Sequence, residues 1–136
     1  MNEQAQATGG LWEGAEVISV YTRAQALEDG VLVDLTGWAQ EAGFKIPVAV
    51  TRGVWDVLKP SKELEAEGED EAGRAWDLFT VLLDAIRGAS GGDEVHFAPL
   101  FTQEPGRAAR GVEMWAKCGP GDNAEPVITV MLRGED

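Results

Sequence analysis

RAWDLFTVLLDAIRG, residues 74–88, sets Ala75, Leu78, Phe79, Leu82, Leu83 and Ile86 at helical spacing along one stripe. Arg74, Asp77 and Asp84 fall on the opposite side, and Trp76 is expected in the core. Arg87 suits the negative end of the helix dipole, and Gly88 supplies the stop. One long amphipathic helix of this kind needs a broad apolar partner.

The partner is expected downstream. After the flexible connection GASGGD come three strand candidates: EVHFAPLF (94–101), GVEMWAKC (111–118) and PVITVML (126–132). TQEPGRAAR joins the first two, and GPGDNAE, rich in turn formers, joins the last two. Alternation puts Val112, Met114 and Ala116 on one face, with Glu113, Trp115 and Lys117 on the other. Upstream the signals are shorter. Thr22 is placed to cap RAQALEDG, Thr36 to cap TGWAQEAG, and Thr51 to cap RGVWDVLK. AEVISVY (15–21) and FKIPVAV (44–50) read as extended, with Pro47 biasing Ile46 away from helix, and VLVDLT (31–36) reads as either a buried strand end or a docking turn. The expected fold class is α+β: N-terminal short helices and one long helix, packed on a small C-terminal antiparallel sheet of about three to four strands. Residues 1–14 are expected as a flexible arm and 15–136 as a single domain.

Charge narrows the function. The chain carries 24 acids against 11 bases, a net charge of −13, and the bases are scattered singly. Nucleic-acid binding needs clustered Lys and Arg, so direct binding to DNA or RNA is not expected, nor attraction to an anionic membrane surface. A basic protein surface is the natural long-range partner. The N-terminus lacks a basic and an apolar signal region, and no apolar run is long enough to span a bilayer. A cytoplasmic protein is expected.

The search for chemistry is mostly negative. His96 is the only histidine and Cys118 the only cysteine, so neither paired-histidine nor cysteine-built metal motifs occur. A Cys118–His96 pair across neighbouring strands is conceivable, but a buried or half-buried structural cysteine is the better reading. The glycine-rich GASGGD follows a helix and precedes a strand, the reverse of a phosphate-binding loop. No catalytic residue, cofactor or metal is expected. Asp34, set among apolar neighbours, reads as a cap for the following helix.

Two surfaces remain. In ELEAEGEDEAG (63–73) the acids Glu63, Glu65, Glu67, Glu69, Asp70 and Glu71 are uninterrupted by a base. The segment is either a connection or the first turns of the long helix. A solvated face is the default for such a run, and a contact for a basic groove is the sharper reading. Trp115, with Trp12 of the arm, is the aromatic interface candidate. The alternative site is the polar set Tyr21, Arg23, Gln25, Glu28, Asp29 and Asp34, suited to a small ligand or an enzyme. A third reading is a homodimer in which the last strand pairs edge to edge across a two-fold.

TRAQALEDGVLVDLT, EAGFKIPVAVTRGVW and CGPGDNAEPVITVML together resemble a family of small, uncharacterised acidic domains carried on plasmids, phages and other mobile elements. The similarity spans residues 17–58 and 111–136. The resemblance implies an anti-defence context in a bacterial host: an anti-CRISPR-like inhibitor that occupies the basic nucleic-acid-binding face of a Cas effector. It assigns no catalytic residue, and the acidic run lies outside it.

Overall fold

Residues 21–135 are described by the computed structural model. The expected arm, with Trp12, and most of the first extended segment lie outside them. The described chain forms α1 (Arg23–Glu28), β1 (Leu32–Asp34), α2 (Thr36–Ala42), β2 (Val48–Thr51), α3 (Arg52–Leu58), α4 (Lys62–Ala66) and α5 (Glu71–Gly88). There follow β3 (Glu94–Phe97), β4 (Leu100–Phe101), β5 (Arg110–Gly111), β6 (Met114–Pro120) and β7 (Pro126–Leu132). The class is α+β as read from the sequence.

The sheet is larger than expected and mixed. Its five strands run in the order β1-β2-β7-β6-β3, with β4 and β5 forming a separate two-stranded ribbon. β1 pairs antiparallel to β2, and β7 antiparallel to β6, as β6 is to β3; β2 and β7 are parallel, with Ala49 opposite Thr129. Two strands therefore come from the N-terminal half. The run Val48, Ala49, Val50 is buried on both faces of the pleat, as suits an interior strand. β7 is also interior, hydrogen-bonded to β2 on one side and β6 on the other. The last strand is therefore flanked on both sides and offers no sheet edge for the pairing expected of it.

EVHFAPLF is not one strand. Pro99 has no N–H for a ladder, and Leu100–Phe101 leave the sheet to pair with Arg110–Gly111.

The main core lies between α2, α3, α5 and one face of the sheet. Leu78, Phe79 and Leu82 of α5 pack there with Val48, Val50, Phe97, Met114 and Val130. Burying each such side chain stabilises the fold by about 1.5–3 kcal/mol. One member of the expected stripe, Ile86, is exposed, and Trp76, expected in the core, is exposed as well. Arg74, expected on the solvent side, is buried instead.

The caps are partly as expected. Thr51 Oγ1 accepts from Val54 N, and Gly43, at φ 115°, closes α2 in the left-handed region that glycine tolerates. Thr36 does not cap α2; Leu35 holds that position, and Thr36 Oγ1 donates to Asp34 at 2.6 Å and accepts from Val48 N. Trp38 and Trp55 are half-buried and stack on each other at 6.3 Å.

Pleat alternation places His96, Trp115, Lys117 and Thr129 on the other face of the sheet. Cys118 belongs to the opposite set and is exposed, so the structure separates it from His96 and corrects the buried placement.

Candidate interaction surface around the acidic segment

The acidic run is shared between a short helix, a turn and the start of the long helix. Ser61 caps α4 by accepting from Leu64 N, and Leu64 is buried, so a core anchor sits inside the run. Glu63 and Glu65 occupy the first turn of α4, where the helix dipole favours negative charge. Gly68, at φ 101°, then turns the chain into α5. Asp70 caps that helix, its Oδ1 accepting from Gly73 N at 2.8 Å. Glu71 lies in the first turn. The run therefore divides. Glu69, Asp70 and Glu71 serve the start of α5, while Glu63, Glu65 and Glu67 are exposed, with no ion pair or side-chain hydrogen bond among the described residues.

Arg74 explains the division. Its Nη1 donates to Glu69 Oε1 at 2.7 Å and to the Thr102 carbonyl at 3.0 Å, and its Nη2 donates to the Val57 carbonyl at 3.0 Å. The guanidinium also lies over the Phe101 ring, 4.8 Å from its centroid. A charge this deep is tolerated only when paired and hydrogen-bonded, and Glu69 supplies the counter-charge. One arginine thereby joins the end of α3, the acidic turn, α5 and the segment after β4. Its Nε–H is the one buried side-chain polar atom, among the described residues, without a hydrogen-bond partner.

Beside this junction an open cleft of about 560 Å³ is lined by Glu69, Asp70, Arg74, Trp76, Asp77 and Leu100, among others. Trp76 is 49% exposed and Leu100 63%, two large apolar side chains that both line the cleft. No described residue is hydrogen-bonded or ion-paired to the Asp77 carboxylate.

Trp115 does not join this surface. It sits on the other face of the sheet, half-buried, stacked on His96 at 4.6 Å with Lys117 Nζ 5.6 Å from its ring. His96 in turn contacts Glu94 Oε2 at 2.7 Å.

The alternative polar set is taken up by local structure. Tyr21 Oη donates to Asp29 Oδ2 at 2.8 Å, and that acceptor, with its charge, raises the phenol's pKa. Gln25 completes a capping box with Thr22. Asp34 accepts from Thr36 N and Oγ1, close to the capping role expected of it. Glu28 is exposed at the end of α1. Arg23 points elsewhere, donating to Thr129 Oγ1 at 2.6 Å and the Ile128 carbonyl at 2.9 Å. Burial lowers its pKa, opposed by the charges of Asp34, Asp122 and Glu125. Arg23 alone of the set lines the cleft of about 380 Å³ beside Lys117, Thr129 and Met131. The six residues do not converge on a site.

Sequence reading missed the residue that holds this corner. Asp122, in the β6–β7 turn, accepts from Arg23 N at 2.8 Å and Ala24 N at 2.9 Å. With Thr22 taking Gln25 N and Ala26 N, the first four amides of α1 are all satisfied. Those two bonds hold the Asp122 carboxyl below its ordinary pKa. An aspartate in a turn is too common to signal a contact made 98 residues away along the chain.

Fold and surface together define a small acidic α+β domain with an exposed carboxylate-rich corner. The chain belongs to DUF6573, a family of unknown function, which it matches over residues 9–136. No curated protein and no solved structure matches it. Among the described residues no group of three or more His, Cys, Asp or Glu side chains is placed to hold a metal ion, and no helix is long and apolar enough to cross a membrane.

Proposed function

We propose that this protein is a binding module, not an enzyme, whose acidic corner docks on a basic, nucleic-acid-binding surface of another protein. The observation that carries the reading is α4. It is fixed by its cap and by Leu64, yet it presents Glu63, Glu65 and Glu67 to solvent without a partner among the described residues. The net charge of −13 gives that corner a long-range attraction to Lys- and Arg-rich faces. Basic side chains engaged by these carboxylates cannot also bind phosphates, so the partner's nucleic acid would be excluded by competition. The resemblance in sequence to domains of mobile elements supplies the narrower form, an anti-CRISPR-like inhibitor of a Cas effector in a bacterial host.

Pull-down of a Cas effector at low and at moderate salt tests that narrower form, with retention at low salt weakened at moderate salt as the expected result. Absence of retention at both salts removes the Cas assignment. The broader reading is tested on an immobilised arginine- and lysine-rich peptide, and absence of binding there at low salt ends it.

A further inference from the structure

The cleft beside Arg74 has features that the general acidity of the chain does not explain. Its carboxylates stand next to exposed apolar surface, since Trp76 and Leu100 line it together with Asp70 and Asp77. Exposed apolar surface gathered in a groove and rimmed by polar groups is a mark of an interaction site, whereas apolar side chains scattered singly are not. The start of an 18-residue helix would ordinarily attract an anion. Here Asp70 already takes the Gly73 amide, Glu69 and Arg74 balance each other, and the Asp77 carboxylate adds negative charge that no described residue pairs with. The occupant must therefore bring positive charge, and it must tolerate an indole and a leucine.

An arginine side chain meets both demands. Its guanidinium is planar, weakly hydrated and able to stack on an aromatic face while donating in the plane to carboxylates. Its methylene stem covers apolar surface of the kind Leu100 offers. A lysine ammonium, compact and strongly hydrated, can pair with the carboxylates but gains less from the indole.

We propose that this cleft is a socket for one arginine of a partner polypeptide, with Trp76 and Leu100 as its apolar walls and Asp70 and Asp77 as its acceptors. The proposal rests on the acidic-surface reading above and assigns that surface its specific anchor, while Glu63, Glu65 and Glu67 act at longer range.

The test uses the full chain, labelled with nitrogen-15 and titrated with N-acetyl-arginine methylamide and, separately, N-acetyl-lysine methylamide. Saturating shifts are expected at the Gly73, Leu100 and Thr102 amides and at the Trp76 indole N–H, with the lysine probe at least several-fold weaker. Trp76→Ala and Asp77→Asn should each weaken the arginine probe about tenfold or more without altering the amide spectrum away from the cleft. Leu100→Ser is a second wall variant in case Trp76→Ala perturbs the fold. Shifts that are absent, equal for both probes, or unchanged in Trp76→Ala overturn the socket.

An octa-arginine peptide at low salt separates the two readings. Binding lost in the Glu63→Lys, Glu65→Lys, Glu67→Lys triple variant but kept in Trp76→Ala sinks the socket and leaves the acidic surface standing. Binding lost in Trp76→Ala but kept in the triple variant supports the socket and removes α4 from the docking surface. Octa-arginine that does not bind at all ends both.

Discussion

Arg74 and Arg23 do the same job in opposite ways. Each ties segments far apart in sequence by donating to main-chain carbonyls, and each has an acidic turn residue nearby. Arg74 is 94% buried, judged from its 6% exposure, and depends on Glu69 for charge balance. Arg23 is only half-buried; its tie to the sheet is a hydroxyl and a carbonyl, while Asp122 holds the backbone amides beside it. The difference teaches where charge is structural in this protein. Deep charge is committed to one geometry, whereas the shallow corner shares its ties among several weaker bonds.

The sharpest way to break the comparison is to truncate both arginines. Arg74→Met leaves the partly exposed Glu69 carboxylate and the part-buried Val57 and Thr102 carbonyls without these donors, which should cost about 3 kcal/mol and lower the urea midpoint accordingly. Arg74→Lys should recover part of this, since it keeps the charge but loses the fork. Arg23→Met removes two hydrogen bonds in a wetter site and should cost about 1–2 kcal/mol. Equal losses in chemical denaturation would mean that burial does not separate the two junctions.

A smaller effect is read through pH. The Asp122 carboxyl is held below its unfolded value, so its contribution is fully present above the ordinary aspartate range, near pH ~4. That contribution is lost as pH falls through the lowered folded value. In Asp122→Asn the decline of stability over that window should be shallower than in the parent chain, measured as thermal midpoint against pH. An unchanged slope would show that the α1 amides do not depend on the charge.

The smallest effect is expected at α4. Replacing Glu63, Glu65 and Glu67 together by lysine should change stability by only about 0.5 kcal/mol per residue or less. A large loss of thermal midpoint would mean these acids act in the fold, leaving less reason to assign them to a partner.

Much of the fold was legible because its signals are local. The stripe of α5, the glycine ending α2 and the threonine cap of α3 each need only a few neighbouring residues. Arg74 misled because its charge argued for the polar side, although at four residues before Leu78 it borders the stripe, and the segments around Val57 and Thr102 close over it. Trp76 misled in the reverse sense: a tryptophan on an amphipathic helix is ordinarily core, yet here its neighbour Ala75 takes the buried position. FKIPVAV was legible as extended and VLVDLT as a strand end or a docking turn, but neither as a member of the main sheet. Their pairing, β2 beside β7, depends on a contact across about 80 residues of sequence. The acidic corner was visible as composition. Its division between helix capping and open solvent was not, because a serine cap and one buried leucine decide it.

The interior position of β7 has a consequence for how the chain comes together during synthesis. β1 and β2 emerge early, and β6 and β3 can pair before the final strand appears. Yet these two halves of the sheet have no common edge until residues 126–132 arrive between them. Until β7 is in place between them the chain holds two unfinished half-sheets, each with an open ladder edge. Such a species is prone to self-association, and a high density of like charge is one of the few defences open to it.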